Sequence, residues 1–212
     1  TGIVTVLGAV TVSGSVSEIK AAYAANTAGT INGLGNEAIT ISDSSLVTPS
    51  DLTDVKALTT GTVTVSLGAT TAAASTLNSL DTNSTEIVNA GLITTITGTS
   101  ADVNKAYASA GISGLGNEAV TLSDTTLSAS TLNTVDGNTT GSVNAGTVTT
   151  LSGAAADLNT AYASTGVTGL GNEAVTLSDT SIDLSVLQTL DEATTGTINA
   201  SSIKTMTGSG AK

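Results

Sequence analysis

Short runs of alternating β-branched and polar residues punctuate the chain: Ile39-Thr40-Ile41, Val63-Thr64-Val65-Ser66-Leu67, Val120-Thr121-Leu122 and Val175-Thr176-Leu177. A period of two predicts strands with one face buried and a Thr face turned outward. Between these runs the period changes. Ile19/Ala22/Tyr23, Val103/Ala106/Tyr107 and Leu158/Ala161/Tyr162 fall at i, i+3, i+4, and Leu77/Leu80, Leu132/Val135 and Leu187/Leu190 at i, i+3. That spacing predicts short helices with one apolar stripe. Start signals agree with it. Thr48-Pro49-Ser50-Asp51 places Thr at the N-cap, Pro at the first helical position and Asp in the first turn, and Ser15-x-x-Glu18 has the form of a capping box. Gly111 and Gly166 follow the Tyr helices where a left-handed C-cap is expected. Helices of about two to three turns need tertiary packing to persist.

The elements recur. Gly33-Leu34-Gly35-Asn36-Glu37-Ala38 returns at Gly114–Ala119 and Gly169–Ala174, and the last two copies set a 55-residue period. Ala74–Asp81 returns one such period later as Ala129–Asp136, and once more, diverged, as Leu184–Asp191. Each 55-residue unit divides into two similar halves of about 27 residues, one running from Ala119 to Gly146 and the other from Thr147 to Glu173. The early part is less regular: three extra residues fall near Asn26–Thr30, and the alternation of half-types breaks between Ala38 and Leu77.

Strand, helix, strand within each half predicts an α/β fold: a right-handed solenoid of about seven coils with stacked parallel strands, residues 1–212 forming one repeat domain within a longer array or polymer. One conflict is built in. Strands stack roughly 4.8 Å apart, whereas helices pack roughly 8–10 Å apart. Keeping every helix on one side implies curvature. Alternating helices between two sides demands crossovers of the rare hand, so the one-handed curved stack is the expectation.

Composition narrows the chemistry. There is no Cys, His, Trp, Phe or Arg, and the formal net charge is −12. A zinc site of the usual ligands and a nucleophilic triad with a His base are excluded. The five Lys (Lys20, Lys56, Lys105, Lys204, Lys212) are scattered, which argues against nucleic acid and against an anionic membrane surface. No run of eighteen apolar residues exists to span a bilayer, and Thr1-Gly2-Ile3 does not open a signal peptide. A mature chain or an excised fragment is the expectation.

Several motifs admit a chemical reading beside a structural one. Gly-x-Gly-x-x-Ala resembles a dinucleotide fingerprint, but here it follows a helix and leads into a strand, the reverse of what pyrophosphate binding needs. A repeated tight turn is preferred. Asn36, Thr64, Asn89, Asn117, Asn144, Asn172 and Asn199 advance by about one half-unit at each step. They suggest an Asn ladder with rung-to-rung hydrogen bonds and a weak rung at Thr64. Asp43, Asp124 and Asp179, with Glu37, Glu118 and Glu173, recur as turn carboxylates; solvated turns or helix caps are preferred over calcium, since neither an EF-hand nor a β-roll pattern is present. Tyr23, Tyr107 and Tyr162 read as core spacers with a hydrogen-bonded hydroxyl rather than a glycan platform. Asn83-Ser84-Thr85, Asn138-Thr139-Thr140 and Asn199-Ala200-Ser201 match the glycosylation sequon.

The recurring Gly-Leu-Gly-Asn-Glu-Ala-Val-Thr-Leu-Ser-Asp-Thr, with Leu-Asn-Thr-Ala-Tyr-Ala-Ser, resembles the repeats of very large bacterial surface or secreted proteins, especially cyanobacterial ones. The resemblance spans nearly the whole chain and concerns repeat style. It implies an extracellular or cell-surface array serving as stalk, coat or adhesin, and it carries over no functional residues. The expectation is therefore a structural or adhesive spacer and not an enzyme, with no catalytic, cofactor-binding or metal residues. Its partners would be neighbouring repeats or identical chains end to end. A self-assembling head-to-tail filament subunit and a calcium- or glycan-binding module are the alternatives.

Overall fold

The computed structural model describes residues 2–8, 10–43, 47–84 and 87–208. Thr1, Lys212 and Thr85 of the Asn83 sequon lie outside the described residues. The elements run β1 (Val4–Thr5), β2 (Thr11–Gly14), α1 (Val16–Thr27), β3 (Ile31–Asn32), β4 (Ala38–Asp43), α2 (Pro49–Lys56), β5 (Val63–Leu67), β6 (Thr71–Ala73), α3 (Ala74–Asn83) and β7 (Val88–Asn89). They continue with β8 (Thr95–Gly98), α4 (Ser100–Ala108), β9 (Ile112–Ser113), β10 (Ala119–Leu122), β11 (Thr126–Ser128), α5 (Ala129–Asn138), β12 (Val143–Asn144) and β13 (Thr150–Gly153). The last are α6 (Ala155–Ala163), β14 (Val167–Thr168), β15 (Ala174–Leu177), β16 (Ser181–Asp183), α7 (Leu184–Ala193), β17 (Ile198–Asn199) and β18 (Thr205–Thr207). The protein is an α/β solenoid of strand-helix-strand units whose described strand pairs are all parallel. It groups into two compact units, the first reaching Thr95 and including Lys105–Leu115, the second comprising Ile96–Asn104 and the chain from Gly116 onward.

In unit 1, β2, β4, β5, β7 and β9 stack in that order. Ile39, Ile41, Val63, Val65, Leu67 and Val88 point inward and are 0–2% exposed. Fully burying such a side chain stabilises by about 1.5–3 kcal/mol. Both predicted helix starts form. Ser15 with Glu18, and Thr48 with Asp51, make capping boxes, and Pro49 opens α2. Thr11 pairs with Ala38, a 27-residue step. Ile39 with Val63 and Val88 with Ile112 make 24-residue steps, and Val65 with Val88 is one residue shorter. The three extra residues foreseen near Asn26 lengthen α1 to 12 residues, against nine in α6. An insertion that adds most of a helical turn leaves the strand stack in register.

In unit 2, β10, β12 and β14 form one stack, β11, β13, β15 and β17 a second, and β16 with β18 a third. Val143 with Val167 and Thr150 with Ala174 make 24-residue steps; Val120 with Val143 is one residue shorter. The stack therefore steps by fewer residues than half of the 55-residue repeat. The surplus has a location. Each strand-to-strand link takes seven residues: Val143 to Thr150, Val167 to Ala174, Ala174 to Ser181. Before α6 the chain makes one link, β12 to β13; before α7 it makes two, β14 to β15 to β16. One 55-residue unit is two coils plus one extra link. As a result α5 and α6 cross from the second stack to the first, whereas α7 crosses from the third to the second. The helices of unit 2 do not keep to one side, contrary to the expectation that every helix lies on the same side of the stack.

The helix starts also move along the coil from one helix to the next. Against a 24-residue step, α6 begins two residues later along its coil than α5, and α7 five later than α6. Successive helices are thus staggered, and Ala129, Ala155 and Ala161 are small buried residues of α5 and α6.

The Asn ladder does not form. Asn89 pairs with Ser66 and Ser113, Asn144 with Thr121 and Thr168, and Asn199 with Thr176, while Asn36, Asn117 and Asn172 lie in turns. Residues spaced by half of the 55-residue repeat drift out of line on a stack whose step is shorter. Thr64 is no weak rung, since it pairs with Thr40 within the longest strand pairing of unit 1. Strand Asn residues act locally instead: Asn89, Asn144 and Asn199 each accept from the backbone N–H two residues on, at 2.9–3.0 Å.

Candidate functional site

A concentrated polar structure recurs at the turns Gly33–Ala38, Gly114–Ala119 and Gly169–Ala174. Its first glycine has φ of 97°, 85° or 86° and its second 142°, 138° or 131°, a left-handed region that other residues avoid. A Cβ on Gly33, Gly114 or Gly169 would also strike the backbone of the adjoining coil. With the backbone so turned, the Glu side chain folds back on its own loop. Glu37 accepts from the Gly35 N–H at 2.8 and 2.9 Å, Glu118 from Gly116 at 2.9 and 3.2 Å, and Glu173 from Gly171 at 2.6 and 3.1 Å.

These carboxylates are not solvated, contrary to expectation. Glu37, Glu118 and Glu173 are only 0–1% exposed. Burying a charge is costly unless donors surround it, and they do. The Tyr23 hydroxyl donates to Glu37 at 2.6 Å, and Tyr162 donates to Glu173 at 2.9 Å. Burial alone raises the Glu37 pKa, but the Tyr23 hydroxyl and the loop N–H groups outweigh it and hold Glu37 below its ordinary value. Burial and the neighbouring Glu37 push the Tyr23 hydroxyl up to about 12. Burial and Glu173 likewise raise Tyr162. Tyr23 is a core spacer with a bonded hydroxyl, as read from the sequence, whereas Tyr162 is half-buried and keeps the bonded hydroxyl.

A partner that the sequence reading missed completes the turn. Thr59-Thr60-Gly61, Thr139-Thr140-Gly141 and Thr194-Thr195-Gly196 come from the following coil. The first Thr hydroxyl donates to the Glu carbonyl, at 2.7 Å for Thr59 and Thr139 and 3.4 Å for Thr194. The second Thr N–H donates to the second glycine's carbonyl at 2.8–2.9 Å. The third residue must be Gly, because a Cβ there would meet the Glu carbonyl. Recurrence of Thr-Thr-Gly 21 or 22 positions after each Glu was the available signal.

The Asp residues are caps supplied by a neighbouring coil. Asp43 accepts from the Val16 N–H at 2.9 Å, Asp124 from Ser100 at 2.7 Å and Asp179 from Ala155 at 2.7 Å, each the first turn of a helix. Negative charge at that end also suits the helix dipole. Asp81 and Asp136 accept from Ser109 and Ser164 at 2.8 and 2.7 Å. They explain Gly111 and Gly166. Neither glycine has positive φ, so neither is the expected left-handed cap; a Cβ at either would collide with the Asp carboxylate.

A second missed row lies on the helices. Asn104 donates its amide to the Thr131 carbonyl at 3.5 Å, Asn133 to Asp157 at 3.0 Å and Asn159 to Val186 at 3.5 Å, each reaching the next helix. The amide of Asn138, a sequon residue, donates to the Asn104 side-chain oxygen at 3.0 Å, and Thr139 of that sequon is buried. Asn199 stays exposed. Among the described residues, no three carboxylates gather closely enough to hold a metal ion, and no helix is long and apolar enough to cross a membrane. No family model matches the chain, and no curated protein or solved structure matches it.

Proposed function

We propose that the chain is a structural or adhesive repeat segment, a spacer, stalk or coat element of an extracellular array, with no catalytic task and no need of a cofactor. The observation that carries this reading is the use made of the recurring polar groups. Glu37 and Glu173 hold their turns, Asp43, Asp124 and Asp179 cap helices of neighbouring coils, and Asn133 ties α5 to α6. A catalytic group is needed once and must reach its substrate. These groups recur with the repeat and face the chain itself. The likeness to surface-protein repeats supports an extracellular place, and the net charge of −12 opposes aggregation of a Ser/Thr/Ala-rich surface.

The test is to insert one, two and three further copies of residues 119–173 after Glu173 in the full chain and measure the maximum dimension by small-angle scattering. A spacer lengthens by a constant increment, about 11 Å per copy at roughly 4.8 Å per coil. A dimension that instead grows only as the cube root of mass, as for a compact globule, defeats the reading.

A further inference from the structure

We infer that the 55-residue unit is one step of a three-sided screw: each unit moves the helix crossing to the next side of the coil, and three units bring it back. In unit 2 a coil has three sides, two of them strands and one a helix, as in β13, α6, β14. The change of side is visible at α7. The stack β10-β12-β14 ends at β14, and the stack β16-β18 begins in the coil that contains α7. On a 24-residue step, Asp191 of α7 falls one coil beyond Val167 of β14, and Ile182 of β16 one coil beyond Leu158 of α6. The helix thus takes over a side that strands held, and a strand takes over the side that a helix held.

Three units, and seven coils at the observed strand step, take the same length of chain, about 165 residues in each case. Each side then carries five strands followed by two helices. The physical gain lies in the mismatch between strand and helix spacing. Helices confined to one side would accumulate the mismatch there; a pair that changes side with every unit spreads it over three. A second consequence concerns recognition. In an array of regular units, an outward side chain at one repeat position faces a given direction once every three units, about 34 Å for seven coils. A partner that reads one face meets equivalent residues at that interval.

The inference extends the spacer reading and can fail on its own. Cryo-electron microscopy of the full chain extended with nine copies of residues 119–173 gives the symmetry of the inserted units directly. A rotation of about 120° and a rise of about 11 Å per unit are expected. Units related by a rotation near zero, with all helices on one side, would overturn the screw while leaving a spacer intact. Fibre diffraction from the same chains gives an independent reading, since a layer line at about 34 Å is expected and its absence overturns the seven-coil period.

Discussion

In unit 1 the helices α1 and α2 are joined by Lys20, whose ammonium lies 2.7 Å from Asp54 and 3.5 Å from Asp51. In unit 2 the aligned positions of α4, α5 and α6 carry Asn104, Asn133 and Asn159, each donating to a carbonyl of the next helix. The link between helices is therefore exchangeable chemistry. A charged pair, half in solvent, and a neutral amide serve the same contact. The turn is different: buried Glu, looping glycines and the Thr-Thr-Gly clamp occur in both units, with nearly the same distances at Glu37 and Glu118. Where a group sits decides which case applies. An exposed link has water as an alternative partner, whereas a buried carboxylate has none, and an unmade bond there costs its full desolvation.

The likeness fails first if the shared turn is not equally demanding in both units. Gly61→Ala and Gly141→Ala each force a methyl group into a Glu carbonyl. Each should cost about 3 kcal/mol in chemical denaturation, and a marked difference between them would show that the turns are not equivalent. The pH profile comes next. Glu37 has a depressed pKa when folded, so its stabilisation is full above the ordinary glutamate value of 4.5 and is lost as pH falls through the lower folded value. Tyr23 has a raised pKa, so its stabilisation is full below 10 and is lost as pH rises toward about 12. Unit 1 should melt highest between those limits, and Tyr23→Phe should flatten the alkaline side, followed by circular dichroism.

A smaller effect bears on the helix link. The side-chain oxygen of Asn159 is buried without a partner, because Ala193 stands where Asn138 serves the aligned Asn104. Ala193→Asn should supply that bond and stabilise by about 1 kcal/mol in thermal denaturation, and Asn138→Ala should cost about 1–2 kcal/mol. The smallest effect is expected for Lys20→Ala. Its cost at low ionic strength should vanish in 1 M salt, where screening extends only ~3 Å, whereas that of Asn133→Ala should persist.

Much of this was legible beforehand. Alternation placed β4, β5, β10 and β15, the i, i+3 pairs placed the helices, and Ser15 and Thr48 marked two starts, because each depends on residues within a few positions of one another. The repeat itself announced a solenoid. Local pattern and period thus settled those elements, their parallel stacking, the turn glycines and the bonded tyrosines, but not β6, β11 and β16, which carry no such alternation. Folding in three dimensions was needed to set the shorter step of the strand stack. With that step came the failure of the Asn ladder, the capping of α1 by Asp43 and the pairing of Glu with Thr-Thr-Gly. A repeat period counts residues along the chain, while a stack counts them once around it. The seven-residue link by which the two differ becomes visible only when strands lie beside one another.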